Sequence, residues 1–531
     1  MKKNLFILFL LSFTVNTGFA VSSAEVEETL RRVVENRKNV EFRALGEPIF
    51  CSTSLPLFYQ NNLYKMVWDN AMRSALIAVL EQADEEGLHV DDYHTPTLKK
   101  YLGKSQLNVI EQTGLELLTT DAFLLYATHL TSGKVNPETI DAQWHVVRRG
   151  GKPVDILNEA LTTRNVQAAL KQAAPQQAVY AGLKAALKRY RAIVKRGGWE
   201  PISTGETLKI GAVNDRVVAL RKRLIISGDL TIDSLDSHFD ELLEQAVKNF
   251  QYRMGLLADG EVGAKTIAAM NVSAKTRVEQ LRLNMERWRW LPNTFSPYYI
   301  KVNIADFTLE VVKNGKKERS HKVIVGKAYR KTPVFSSKMT YLVLNPTWTV
   351  PPTILTNDVL PAVRKDVSYL KSKNLTVYDA RGNIIDPLGP SWSNGNLRSF
   401  TYMQAPGPDN ALGFVKFMFP NAFSVYLHDT PARELFEQSE RSFSSGCVRV
   451  QDPLKLAEYL IGQPAEWSMD KINACITTRK PTTVVLKHQP EVYLLYWTAW
   501  AADNGAVHFR KDIYKRDEAL LNSLNAPAPG V

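Results

Sequence analysis

Tyr426-Leu427-His428-Asp429-Thr430 and, after a short helical stretch, Ser444-Ser445-Gly446-Cys447-Val448-Arg449 are the two runs from which the rest of the chain is best read. A cysteine needs a nearby base or cation to become a thiolate near neutral pH, and a histidine on an adjacent strand or loop supplies both. Cys447 follows His428 by nineteen positions. Gly446 lets the backbone approach an acyl substrate closely, and successive N–H groups of Gly446 and Cys447 would face a developing oxyanion. If the strand continues, Arg449 shares a face with Cys447, where its charge would hold a thiolate or a substrate carboxylate. By the same alternation Tyr426 shares a face with His428, and its hydroxyl either serves an intermediate or packs into the core. Asp429 either orients His428 through its carboxylate or leaves that task to a backbone carbonyl. An isolated cysteine is usually a core residue; the glycine before it, the arginine after it and the upstream His-Asp weigh for chemistry.

These runs sit in a segment whose hydrophobic period is that of strands. From Tyr298 the pattern alternates through Tyr299, Lys301, Asn303, Phe307 to Val312 and Lys322 to Gly326, and strand-like runs return at 340–344, 415–419, 424–427 and 483–486. The stretch 352–400 interrupts this with a helix-like section and many turn residues, as an inserted cap or lid would. A catalytic domain is therefore expected over 298–488. Residues 489–531 form an extension with two more aromatic strands and a short helix at 514–524, packing on that domain.

Upstream, 21–200 is rich in amphipathic helix. Met72, Leu76, Val79, Leu80 and Ala83 share one helix face, as do Val179, Leu183, Leu187, Tyr190 and Val194. Gly197-Gly198 and Pro201 close this all-helical scaffold. A compact helical unit follows over 204–272, with Thr266 as cap of its last helix, then a linker helix over 273–297. His89, His94, His129 and His145 do not fall at metal-ligand spacing.

The 531 residues are enough for several domains. With 45% hydrophobic, 23% charged and 10% aromatic residues the chain is neither largely disordered nor a polytopic membrane protein. Met1-Lys2-Lys3, the apolar run Leu5 to Val15 and Gly18-Phe19-Ala20 read as a signal peptide over 1–20, too short to span a bilayer and cleaved on export. The formal charge of +12 becomes +10 when those residues, with two lysines and no acidic residue, are removed. Such a balance calls for an anionic partner, and an exported chain rarely meets nucleic acid. Cys51, Cys447 and Cys475 cannot all pair internally.

The unit at 204–272 carries Ala246-Val247, Phe250-Gln251, Gly255-Leu256, Asp259-Gly260, Val262-Gly263 and Thr266, and resembles the three-helix peptidoglycan-binding domain. Its residues read as fold determinants. His428 with Ser444 to Arg449 resembles the YkuD-type motif of the L,D-transpeptidases. Ser445, where the wider family has histidine, matches the large periplasmic YcbB-like branch, as do Gly326 to Pro333, Asn345 to Pro352 and Pro406 to Gly413. The resemblance implies a multidomain α+β architecture: an all-helical scaffold, a peptidoglycan-binding unit and a capped β-rich catalytic domain. It implies Cys447 as nucleophile and His428 as base, with Gly446, Ser445, Arg449, Tyr426 and Asp429 around the oxyanion and substrate. It also implies a periplasmic enzyme that joins diaminopimelate residues of two tetrapeptide stems, donor and acceptor, through a thioester with release of D-Ala. No cofactor and no metal is implied, and carbapenems would acylate Cys447. Cell-wall synthesis proteins would be its neighbours, and cell shape and wall organisation its sphere. An L,D-carboxypeptidase and a non-catalytic wall-binding protein are the alternatives.

Overall fold

The computed structural model describes residues 21–36, 42–146, 148–231, 235–393 and 395–528; the expected signal peptide lies outside them. Among the described residues no helix is long and apolar enough to cross a membrane.

The N-terminal unit is organised around helix Val109–Ser132, buried on almost every side from Thr113 onward. Its start is fixed by a capping box: the Asn108 side chain accepts the Glu111 N–H while Glu111 reaches back to the Asn108 N–H. Shorter helices surround it, among them Asn70–Leu80 and Ala178–Lys195. On the latter the buried stripe is Tyr180, Leu183, Ala186, Leu187, Tyr190 and Ile193, so the expected Val194 is rotated out into solvent. The unit is not helical throughout: Trp144–His145 is a strand that pairs in parallel with Val334–Lys338 of the C-terminal sheet.

Residues 215–270 hold the helices Asp215–Ser227, Glu241–Arg253 and Ala264–Met270. Gln251 is buried at their centre. Its amide N–H groups reach Asp259, the Glu261 carbonyl and Thr266, and its oxygen takes the Gly260 N–H. Thr266 is thus a core partner of Gln251, and the helix cap is Gly263.

Helix Ala274–Arg289 is no loose linker. Its side chains from Gln280 to Arg289 are buried, because it is the pillar on which the other units meet. Gln280 and Asn284 hydrogen-bond Thr498, Arg287 pairs with Asp517 at 2.6 Å, and Arg289 pairs with Glu286 at 2.7 Å and reaches Tyr180. A buried arginine is tolerable only when paired and hydrogen-bonded, and this helix has a partner for each of these two.

The C-terminal sheet has twelve strands. Eleven lie in the order Thr482–Val485, Tyr341–Leu344, Val415–Met418, Leu427–His428, Val448–Val450, Lys316–Gly326, Thr308–Lys313, Tyr298–Asn303, Glu491–Leu495, Val334–Lys338, Trp144–His145, and Ser442–Ser444 pairs alongside Lys316–Gly326. Glu491–Leu495 lies beyond residue 488 yet sits inside the sheet, parallel to Tyr298–Asn303. The rest of the C-terminal segment, hairpin 499–509 and helix Asp517–Asn525, packs on the pillar helix, the hairpin also on Ala178–Lys195, and Tyr514 between them reaches the sheet at Gly326.

The insertion has a core of its own: Leu355, Val359, Leu360, Val363, Leu370, Val377, Trp392 and Tyr402 pack together, apart from the main core. Its three-stranded sheet joins Thr376–Tyr378, Thr401–Gln404 and Trp348–Thr349. The cap therefore begins and ends on the pair Trp348–Thr349 and Thr401–Gln404, slightly outside 352–400, and Trp348 packs against its core.

Candidate active site

Two neighbouring strands set the site. Leu427–His428 runs parallel to Val448–Val450 with Leu427 opposite Val448 and His428 opposite Arg449. The Val448 N–H bonds the Tyr426 carbonyl, which extends the register so that Tyr426 lies beside Cys447. Alternation then sorts the side chains. Leu427, Val448 and Val450 are fully buried in the main core; Tyr426, His428, Cys447 and Arg449 share the opposite face. The Tyr426 and His428 rings confirm this, meeting edge to face at 5.7 Å.

His428 is buried, and its Nδ1 lies 2.5 Å from the Asp429 carbonyl oxygen. A carbonyl only accepts, so Nδ1 carries the proton and Nε2 presents a lone pair. The Asp429 carboxylate takes the Phe414 N–H at 2.9 Å and faces Arg433 at 3.5 Å; burial raises its pKa above the usual carboxylate range. Asp429 thus orients His428 through its backbone.

Burial, and then the Arg449 charge, hold His428 down to about 3. Burial pushes the Cys447 thiol up to about 11, against the Tyr426 and Arg449 contributions that lower it. The Cys447 thiol donates to the Ser424 carbonyl at 3.7 Å, and at neutral pH both it and the His428 imidazole are uncharged. Tyr426 is also raised, by burial and then by Cys447.

The loop before Cys447 is tied from several sides. Gly446 has φ +120, in the region that favours glycine. The Ser444 hydroxyl donates to the Cys447 carbonyl at 2.5 Å and accepts the Gly446 N–H at 3.1 Å. Of the two N–H groups expected at an oxyanion, that of Gly446 is therefore turned into the loop. The Cys447 N–H has no acceptor among the described residues. Ser445 is exposed and its hydroxyl accepts from Arg330, which also pairs with Asp358 of the cap at 2.5 Å.

Thr332 and Tyr514 were not singled out by the sequence. The buried Thr332 hydroxyl donates to the Gly446 carbonyl at 2.8 Å and accepts the Gly326 N–H at 2.9 Å. Tyr514 donates to the Gly326 carbonyl at 2.7 Å and accepts the Thr332 N–H at 3.1 Å. Thr332 lies in the Gly326 to Pro333 run, which the sequence marked only as a match to the YcbB-like branch.

The other cysteines and histidines have other surroundings. All three cysteines are free thiols, so Cys51 and Cys475 are not paired; Cys51 is buried against Asp121. His94 lies between Glu47 and Asp121, His129 bonds Tyr93, His89 meets Arg282 and Asn525, and His145 stacks on Phe423. Among the described residues no cluster of three or more His, Cys, Asp or Glu is arranged to hold a metal.

Residues 297–484 match the family described as the L,D-transpeptidase catalytic domain, YkuD. The chain carries a YkuD-type L,D-transpeptidase domain. Residues 213–270 match the "Putative peptidoglycan binding domain" and 53–187 the scaffold domain that accompany this L,D-transpeptidase domain here. A relative in Haemophilus influenzae described as "Putative L,D-transpeptidase" is 33% identical over 284 residues, which cover 52% of this chain and 57% of that protein. Two solved L,D-transpeptidase structures also match. That from Xylanimonas cellulosilytica is 16% identical over 56% of this chain and all of the other (100%), with a TM-score of 0.18. That from Stackebrandtia nassauensis is 14% identical over 56% and 97%, with a TM-score of 0.21. Both likenesses are too distant to bear on the fold.

Proposed function

We propose that this protein is an exported, periplasmic L,D-transpeptidase that cross-links peptidoglycan between diaminopimelate residues through a thioester on Cys447. The observation that supports this reading is that Cys447 and His428 share one face of paired strands, with the Asp429 carbonyl fixing the His428 tautomer that leaves the Nε2 lone pair free to act as a base.

The resting thiol is protonated, so attack and proton transfer go together. As Cys447 Sγ bonds to the third-residue carbonyl of a donor tetrapeptide, its proton passes to His428 Nε2, and the oxyanion forms against the Cys447 N–H. Collapse breaks the C–N bond, and the His428 proton leaves with the D-Ala amine. An acceptor amine then attacks the thioester, giving its proton to His428 as the C–S bond breaks and the sulfur recovers it. The peptide bond broken first supplies the acyl group, so no nucleotide enters. The peptidoglycan-binding unit and the positive charge suit a polymer bearing stem carboxylates.

Incubation of the mature protein with disaccharide-tetrapeptide, followed by mass spectrometry, tests this. Cross-linked dimers that vanish in Cys447→Ala support it, release of tripeptide alone makes the protein a carboxypeptidase, and dimers persisting in Cys447→Ala overturn the nucleophile.

A further inference from the structure

Two cations on the reactive face make no ion pair among the described residues: Arg449, whose Nε is buried without a hydrogen-bond partner, and Lys416. Lys416 lies on strand Val415–Met418, directly opposite His428 in antiparallel register. The Asp429 N–H bonds the Val415 carbonyl, which makes 415/429 a hydrogen-bonded pair and 416/428 the next, non-bonded one, where facing side chains come closest. Val415 and Phe417 are buried in the core, and Lys416 is half-buried on the face of His428.

Among the described residues the Lys416 ammonium makes no ion pair and no hydrogen bond, and burial lowers its pKa without a carboxylate to offset it. The nearest acid in sequence register, Asp429, is committed to Phe414 and Arg433. A half-buried cation without a counter-charge is destabilising until an anion arrives. The row across the sheet reads Lys416, His428, Arg449, with Cys447 one row away beside Tyr426. Lys416 is thus on the side of His428 away from the nucleophile strand.

That position selects which part of a substrate it meets. His428 hands its proton to the departing amine and later takes one from the entering amine, so both amines occupy the space at His428 Nε2. Lys416, one strand further on in the same row and on the same face, borders that space on the side away from the Cys447 strand. In the leaving D-Ala, and at the acceptor centre of diaminopimelate, the carbon bearing the amine also bears a carboxylate. We propose that Lys416 is the carboxylate-binding residue of a single amine site, used first by the leaving amino acid and then by the acceptor. This rests on the transpeptidase reading above. The exchange balances without a further reagent: the amine nitrogen bonds to the thioester carbonyl, the C–S bond breaks, and the amine proton returns to sulfur through His428. Lys416 changes neither charge nor bonding.

The test uses the full mature protein. The acyl-enzyme is formed with disaccharide-tetrapeptide and detected by intact mass, then offered isotopically labelled D-alanine or D-alaninamide, whose amines differ only in the neighbouring carboxylate. Wild type should transfer to D-alanine about 10- to 100-fold faster relative to the amide than Lys416→Met does, the range of a charge-assisted hydrogen bond, while Lys416→Arg keeps most of the preference. Iodoacetamide labelling of Cys447 at equal rates in wild type and Lys416→Met shows that the nucleophile is intact. An unchanged preference in Lys416→Met, or loss of the preference in Lys416→Arg with equal labelling, overturns the assignment of Lys416 alone. Failure of wild type to form any acyl-enzyme overturns the transpeptidase reading, and the amine site with it.

Discussion

The His428 Nδ1–H donates to the carbonyl oxygen of its own neighbour Asp429, 2.5 Å away, while the Asp429 carboxylate turns to the Phe414 amide. A carboxylate that held the imidazole directly would stabilise the imidazolium, and its loss would cost about 10⁴-fold in kcat, as in the serine-protease triad. Here the fixed backbone sets the tautomer. Asp429→Asn, which can still accept from Phe414, should therefore keep cross-linking activity within about threefold. Steady-state kinetics with disaccharide-tetrapeptide decide this, and a thousandfold loss in a folded variant would restore the carboxylate as the orienting group.

The pH behaviour follows from two opposite shifts. Burial raises the Cys447 thiol to about 11 and lowers His428 to about 3. A raised thiol pKa keeps the sulfur protonated below it, so alkylation of the free enzyme by iodoacetamide should climb about tenfold per pH unit from 7 to 10. A depressed histidine pKa keeps the imidazole neutral until pH falls well below 6.5, so kcat/KM should show no acid limb near that value. A plateau in alkylation near pH 7 would mean a resting thiolate–imidazolium pair instead.

Much of the site was legible because its signals are local. Cys447, Gly446, His428 and Arg449 stand in two short runs; alternation pairs Cys447 with Arg449 and Tyr426 with His428, and the parallel register of the two strands brings these pairs to one face. The cap was legible as a break in period. What escaped notice comes from distant chain positions with no local signature. Tyr514 reaches Gly326 across 188 residues of sequence, and Lys416 owes its place to strand register. The helix Ala274–Arg289 read as a linker, and its burial was not foreseen because the Asp517 and Thr498 contacts that allow it come from distant parts of the chain. The Gly446 N–H looked available for an oxyanion because nothing in Ser444-Ser445-Gly446-Cys447 foretells that the Ser444 hydroxyl folds back onto it.

Thr332 holds the loop before Cys447 by one hydroxyl serving two buried backbone groups, the Gly446 carbonyl and the Gly326 N–H. Thr332→Val keeps the volume but leaves both unpaired, at about 1–3 kcal/mol each. We expect a lower melting temperature and at least a tenfold lower kcat. Thr332→Ser, which keeps the hydroxyl, should recover most of both. Equal behaviour of the valine and serine variants would show that the hydroxyl does not position the loop.

The cap touches the Cys447 loop through Arg330, which bonds the Ser445 hydroxyl at 3.0 Å and pairs with Asp358 at 2.5 Å. The cap has its own core, apart from the main one, so this contact is one of the ties that hold it against the loop. The Asp358 side chain is 45% exposed, so the pair is worth only about 1 kcal/mol, equivalent to about a fivefold change in the balance of closed and open cap. In the mechanism proposed above, an open cap would admit water to the thioester, where water would compete with the acceptor amine. Asp358→Ala should therefore raise the ratio of tripeptide to cross-linked dimer by about two- to fivefold while the rate of acyl-enzyme formation stays within about twofold, both read by mass spectrometry of the same reaction. Asp358→Glu, which preserves the charge, should lie near wild type. If both variants partition as wild type does, the cap does not control water through this contact, and exclusion must come from the cleft walls themselves.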